Sequence, residues 1–398
     1  MKTLEYSIDT VARKHGVTNM RGIEPFAALD YEKEVEIKQA AFDDFIWSMR
    51  LRNVDVTKVV PASKPRRYRT TSRRRVNDTP GGFMLVHGDG SPFNSSSELE
   101  PKDHLSIYSV VQEFMNNQSK TIRAAVNHVI VRGTYSEYAV IINALELSAE
   151  IIRSMRRLAS GLQRKVPGVK HVWVYVDPRG SKYFFDIERP AMGVGAKKIE
   201  GAAAWTQDVN DVTFQVGIFG YTQVNLAMLP KLVEAVEDGI RPTTEHIVQD
   251  LFCGYGLFGG MFAKKCGGVI AIDADEASVK NARYNISQAG GKVTAITSNL
   301  SASKYEGIMK KIPLVVSSKP QLVVVDPPRT GTDEGLIQSI SKTRPDRISH
   351  VFCGPDEIER SLKEWNSVGY RATKMIPLDL FPGTLNMEVV VHLEPRQE

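Results

Sequence analysis

The chain is 398 residues long, with 51 Lys and Arg against 46 Asp and Glu; the formal net charge of +5 is too mild to imply a polyanionic partner by itself. Its three cysteines, Cys253, Cys266 and Cys353, are too few for an iron–sulfur cluster and lack the spacing of a zinc site, so no metal is expected. That odd, sparse set suits a reducing compartment, and no stretch is long and apolar enough to span a bilayer, which points to a cytoplasmic chain of two or three domains with no membrane partner.

Residues 1–31 show no strong period. Over 34–49, Ile37, Ala40, Ala41, Phe42, Phe45 and Ile46 recur on one broad face and predict a helix. The segment 1–60 is therefore an N-terminal piece whose helix packs on the domain that carries the chemistry. Next comes a run of cations with no acid among them: Lys64, Arg66, Arg67, Arg69, Arg73, Arg74 and Arg75. Charges this dense repel one another, so the run is either a solvated loop or strand edge or a contact for phosphates. Residues 81–87 and the Gly-Asp-Gly-Ser-Pro after them predict a strand and a tight turn, and 94–103 reads as an exposed polar connection. A helix over 107–116, strands over 128–132 and 138–143, a helix over 147–162 and a strand over 169–176 follow. Together they make a separate α+β domain, 61–213, with a sheet of its own. It holds no cluster that points to chemistry.

The domain 214–398 starts with an extended entry over 214–220 and a helix over 226–236. The apolar run 247–252, closed by Phe252, reads as a buried strand that enters a glycine-rich turn and then a helix. Gly254 and Gly256 let the backbone turn sharply and approach a ligand closely. The next strand ends on Asp273, a residue type that accepts hydrogen bonds from a ribose hydroxyl pair. These features point to a nucleoside cofactor. Gly254, Gly256 and Gly259 also have the Gly-x-Gly-x-x-Gly spacing of a dinucleotide turn, so spacing does not choose the cofactor. Asp250 is the hint towards S-adenosylmethionine, because an acid beside the turn repels a pyrophosphate and suits a cationic ligand.

Strands over 292–296, 321–326, 347–352, about 372–377 and 387–393 complete a doubly wound α/β sheet. Ligands in such sheets bind beyond the carboxyl ends of the parallel strands. Asp273, Asp326 and Cys353 end strands there, and an antiparallel last strand would bring Glu388 to the same edge. Asp326-Pro327-Pro328-Arg329 is a rigid exit in which Arg329 is placed to meet a phosphate or a developing negative charge. Cys353 precedes Gly354-Pro355 and the start of a helix, whose N-terminal amides favour a thiolate. Glu388, opening a buried strand, reads equally well as a structural acid and as a general base.

Taken together, these segments resemble the RNA uracil-5-methyltransferase family. Asp250-Leu251-Phe252-Cys253-Gly254-Tyr255-Gly256-Leu257-Phe258 looks like its cofactor turn, and Asp326-Pro327-Pro328-Arg329 like its most characteristic motif. Cys353-Gly354-Pro355 resembles the nucleophile segment, where Asn is commoner than Gly354. The stretch from Asp379 to Glu388 resembles the segment that ends in the general base, without the usual His pair. Upstream, Phe219-Gly220-Tyr221-Thr222-Gln223-Val224-Asn225 resembles a Phe-x-Gln-x-Asn signature whose Gln contacts cofactor or target pyrimidine.

The resemblance implies a Rossmann-like class I methyltransferase sheet that uses S-adenosylmethionine, with RNA, either transfer or ribosomal, as partner and no obligate protein partner. It implies that Cys353 attacks C6 of a flipped uridine and that Glu388 removes the C5 proton after methyl transfer. Asp273 would bind the ribose, Asp326 would arrange cofactor and base, Gln223 would hold the ring, and the cations from Lys64 to Arg75 would contact phosphates. Cytosine as the target, or an RNA-binding protein without catalysis, are the alternatives.

Overall fold

The structure, a computed structural model, describes residues 3–18, 24–51, 53–88, 90–91, 97–177, 195–312 and 319–396. The chain packs into two units. One takes Met1–Pro65, Thr206–Gln223 and Ala227–Glu398; the other takes Arg66–Trp205 and Val224–Leu226.

Helices α1 (Leu4–Lys14) and α2 (Tyr31–Ser48) and the short strand β1 (Asp55–Val56) open the first unit. The sequence reading has no helix at α1, because its apolar stripe is narrow. Leu4, Ile8, Val11 and Ala12 keep helical spacing and are buried, but polar and charged residues surround them. The Asp30 side chain accepts hydrogen bonds from the amides of Glu32 and Lys33 and so starts α2 at Tyr31, ahead of its apolar face.

The second unit holds β2 (Ser72–Thr79), β3 (Gly82–Val86), α3 (Lys102–Asn116), α4 (Lys120–Ala124), β4 (Val126–Gly133), β5 (Tyr138–Ala144), α5 (Ala149–Lys165), β6 (Val169–Val176) and β7 (Gly195–Glu200). Its strands form one sheet in the order β3-β2-β4-β5-β6-β7. Ile107, Val111, Met155, Leu158 and Leu162 from α3 and α5 pack with Val129, Val131, Val140 and Val172 in one core. Of the exposed connection expected over 94–103, residues 94–96 lie outside the described residues, and Lys102 and Asp103 are exposed, but its middle turns inward. Leu99 is buried, and Glu100 is drawn in by a two-pronged pair with Arg74 at 3.0 and 2.7 Å.

The chain returns through β8 (Ala204–Val209) and β9 (Val212–Gly217), and the extended entry expected over 214–220 begins in β9. Then follow α6 (Leu229–Ile240), β10 (Ile247–Leu251), α7 (Leu257–Phe262), β11 (Gly268–Asp273), α8 (Glu276–Gln288), β12 (Val293–Thr297) and α9 (Ala302–Met309). The last elements are β13 (Gln321–Val325), α10 (Leu336–Ser341), β14 (Arg347–Phe352), α11 (Ile358–Ser367), β15 (Tyr370–Leu378) and β16 (Glu388–Pro395). The eight-stranded sheet runs β1-β15-β16-β14-β13-β10-β11-β12. Every residue of β10 and β13 is buried, as central parallel strands covered on both faces require. β16 is antiparallel between β14 and β15, with Val389 beside Phe352 and Glu388 beside Leu378. The last strand therefore starts at the edge where the parallel strands end.

A buried cation fixes that start. Lys38 on α2 is wholly buried, with Nζ 2.7 Å from Asp379 Oδ1 and 2.9 Å from Glu34 Oε1. The same ammonium donates to the Phe381 carbonyl at 3.3 Å, Gly383 N donates to Glu34 Oε1 at 2.5 Å, and the Tyr31 hydroxyl donates to Asp379 Oδ2 at 3.0 Å. Segment 379–383 is thereby pinned to α2 just ahead of Glu388. Replacing Lys38 with Met leaves two carboxylates buried without their cation and is expected to cost about 3–5 kcal/mol in urea unfolding. Adding Asp379→Asn to that variant should recover part of the loss, which a double-mutant cycle measures.

Candidate active site

β10 lies between β11 and β13, so the chain winds one way from β10 to β12 and then resumes on the other side of β10. The carboxyl ends of β10 and β13 flank this switch point, where such sheets bind ligands. The turn after β10 is sharp, with positive φ at Phe252 (62°), Gly254 (51°) and Gly256 (83°). The two glycines do different work. A Cβ on Gly256 would press within 2.9 Å of Ala282, so this glycine serves helix packing, whereas a Cβ on Gly254 would meet nothing within 4 Å. Open space at Gly254 is what a ligand approaching the backbone needs.

Asp273 clasps this turn: its Oδ2 accepts from Gly254 N at 2.8 Å and its Oδ1 from Asp275 N at 2.9 Å. A carboxylate has about four acceptor sites, so capacity for a hydroxyl pair remains. Asp250 is not beside the open turn as expected. It is fully buried beneath it, with Oδ2 accepting from Gly259 N at 2.8 Å and Oδ1 without a hydrogen-bond partner among the described residues. Burial lifts its carboxyl to about 7. A strand-end acid, an open glycine and a turn at the switch point together fit a nucleoside cofactor such as S-adenosylmethionine.

On the other side of the switch point the expected residues converge. Cys353 follows β14 directly, and its thiol donates to Glu388 Oε1 at 3.0 Å. Glu388 is fully buried, and its Oε2 has no partner among the described residues. Asp326 follows β13, with its carboxyl raised well above the usual range by burial, then by the charges of Glu388 and Asp250. Gly354 is needed here because a Cβ would meet the Arg329 carbonyl at 2.8 Å. The Arg329 guanidinium lies 5.8 Å from the centre of the Phe381 ring.

The electrostatics correct one expectation. The Cys353 thiol is not biased towards thiolate by the helix that follows it. Its pKa is raised well above the ordinary thiol value by burial, then by the negative charges of Glu388 and Asp326, and Arg329 offsets only part of this. Two nearby carboxylates outweigh the partial charge of a helix end. Burial likewise lifts Glu388 to about 7, against the pull of Cys353 and Arg329. The resting pair is a thiol held on a carboxyl that titrates near neutrality.

Two side chains outside the expected set belong to this edge. Tyr221 feels the charges of Cys353, Glu388, Asp326 and Arg329, and its hydroxyl donates to Gln223 Oε1 at 3.4 Å. Phe381 carries Arg329 on its ring. Both stand inside segments quoted above for their neighbours, and an aromatic two residues from Gln223 was the available signal.

The basic run divides instead of acting as one patch. Lys64 falls in the first unit and the arginines in the second. Arg67 pairs with Glu98 at 3.2 Å. Strand alternation then splits Arg73, Arg74 and Arg75. Arg74 points inward, 3% exposed, onto Glu100 and over the Tyr108 ring. Arg75 is exposed and Arg73 half-buried, and both add positive charge beside the buried His128, whose pKa falls to about 4 mainly through burial.

Residues 209–396 match the family described as tRNA (Uracil-5-)-methyltransferase. An uncharacterized RNA methyltransferase of Caldanaerobacter subterraneus subsp. tengcongensis is 25% identical over 386 residues, spanning 92% of this chain and 80% of that protein. Another, from Streptomyces coelicolor, is 31% identical over 220 residues, 53% of this chain and 46% of its own length. The structure of the Pyrococcus abyssi tRNA (uracil-54, C5)-methyltransferase in complex with S-adenosyl-L-homocysteine superimposes with a TM-score of 0.64, covering 92% of this chain and 84% of that one at 19% identity, and shows a shared fold.

The raised carboxyl of Glu388 makes stability depend on pH. Its folded value of about 7 lies above the ordinary 4.5, so the folded chain holds the proton more tightly, and stability falls as pH rises from 4.5 through 7. Glu388→Gln removes this contribution. Relative to the unaltered protein, the variant should gain about 1–3 kcal/mol between pH 4.5 and 8, read by urea unfolding at the two values.

Proposed function

The chain belongs to the RNA uracil-5-methyltransferase family and is an S-adenosylmethionine-dependent enzyme, and from that premise we propose that it methylates C5 of a uridine in RNA through a covalent bond between Cys353 and C6. The observation that carries this reading is the 3.0 Å hydrogen bond from the Cys353 thiol to Glu388 at the switch-point edge.

The thiol gives its proton to Glu388 as the sulfur bonds to C6, and the electron pair of the C5–C6 double bond moves towards C5 and O4. A sulfur nucleophile suits both ends of the cycle, since thiolate attacks well and leaves well. S-Adenosylmethionine, when bound, supplies an electrophilic methyl group to the activated carbon. Glu388 must release the thiol proton to solvent before it can accept the proton on C5. A carboxyl poised near 7 is able to do both. Loss of the C5 proton restores the double bond and expels Cys353, so one proton leaves per turnover. Asp273 and the backbone at Gly254 would hold the nucleoside part of the cofactor, and Asp326 and Gln223 would hold the base. Arg329 would balance the charge of the Cys353–Glu388–Asp326 edge.

Glu388→Gln slows sulfur addition, because the thiol proton must then pass to solvent, and removes the base for elimination, so an adduct that does form is methylated and persists. Incubated with target RNA and labelled methyl donor, the variant should accumulate a slow band on denaturing electrophoresis that carries the label, and Cys353→Ala should form no band. Free methylated RNA released at the normal rate by Glu388→Gln would assign the proton to another group. The target itself is found by mapping 5-methyluridine in RNA from cells with and without the gene.

RNA phosphates are expected on the outward cations of the second unit. Replacing Arg73 and Arg75 by Gln should weaken binding of the mapped transcript and lower its salt slope by up to about two ion-release units. Arg74→Gln should leave the slope unchanged and lower stability, because it strips a buried Glu100 of its partner.

A further inference from the structure

Tyr221 is the aromatic at the site that the proposed reaction leaves without a task. It is 61% exposed, whereas Gln223, two residues on, is 5% exposed. The two side chains meet through the Tyr221 hydroxyl, which donates to Gln223 Oε1 at 3.4 Å. The bond is long, but it is the one that the Gln223 side chain makes among the described residues.

A glutamine amide is ambivalent, since a half-turn of its end exchanges donor for acceptor with little change of shape. A phenol donates hydrogen bonds better than it accepts them, so the Tyr221 hydroxyl on Oε1 favours one of the two orientations and leaves the Nε2 hydrogens to be offered to a ligand. Uracil carries a carbonyl oxygen at C4, a fitting acceptor. Cytosine carries an amine there, which sets donor against donor and leaves desolvated polar groups unpaired.

We infer that Tyr221 is a specificity-determining residue: its hydroxyl locks the Gln223 amide with NH2 towards the pyrimidine, so that uracil is accepted and cytosine refused. The inference rests on the covalent reaction proposed above, with Gln223 facing the base. The phenol also stays a donor, because a tyrosine hydroxyl ordinarily ionises only near about pH 10. A phenylalanine at this position would keep the ring and lose the lock.

Tyr221→Phe tests this directly. Transcripts carrying the mapped target position as 5-fluorouridine or as 5-fluorocytidine are incubated with S-adenosylmethionine and either enzyme, and the rates of covalent adduct formation are compared. The unaltered enzyme is expected to prefer the uridine analogue, and Tyr221→Phe to narrow that preference about tenfold, chiefly by admitting the cytidine analogue. A ratio equal to that of the unaltered enzyme overturns the inference, even if both rates fall together, since that pattern belongs to the ring alone. If the unaltered enzyme forms no adduct with either RNA, the covalent reading falls and this inference with it. An adduct with an unchanged ratio in the variant sinks only the role of Tyr221.

Discussion

The Lys38 ammonium is the point on which the candidate active-site edge hangs. A lone buried ammonium is too costly to persist, and so is a pair of buried carboxylates. Glu34 and Asp379 around Lys38 satisfy each other, and the Phe381 carbonyl takes a further donor bond. Such a cluster adds little net stability over an apolar core, but it is intolerant of displacement, because each member left alone is expensive. It therefore fixes where segment 379–383 sits, and with it both the ring that carries Arg329 and the entry to β16. Helix α2 is thus part of the architecture of the candidate site.

The antiparallel placement of β16 has a chemical consequence. It sets Glu388 next to Cys353 in a site already holding Asp326, and three acidic groups in one desolvated corner cannot all ionise. The corner keeps its protons instead. The thiol stays protonated and Glu388 titrates near 7. In the reaction proposed above, reactivity would come from proton transfer within this hydrogen-bonded pair, with no leading part for a helix end. A neutral resting thiol is also less open to chance oxidation than a standing thiolate.

Cations in the central unit follow the strand period, with consecutive arginines going to opposite faces of the sheet. Arg74 organises the interior with Glu100 and Tyr108, while its neighbours remain on the other side. The charge run that dominates the sequence locally is thus half structural, a division that side-chain type alone does not disclose.

Much was legible in the chain itself. All-apolar runs over β10 and β13 announce buried parallel strands, the glycines after β10 announce the turn, and Asp326, Cys353 and Glu388 stand at strand ends because local patterning says where strands stop. These are short-range properties, written in periods of a few residues. What only the tertiary structure decided depends on partners far away in sequence. Asp250 lies under the turn because Gly259 N claims it, Lys38 meets a carboxylate 341 residues further along, and the narrow stripe of α1 is buried because α2 packs against it. The protonation of Cys353 is of the same kind. A sequence shows a helix start nearby and suggests a thiolate, but burial and the charges of Glu388 and Asp326 set the proton, and those depend on distances that exist only once the sheet has closed.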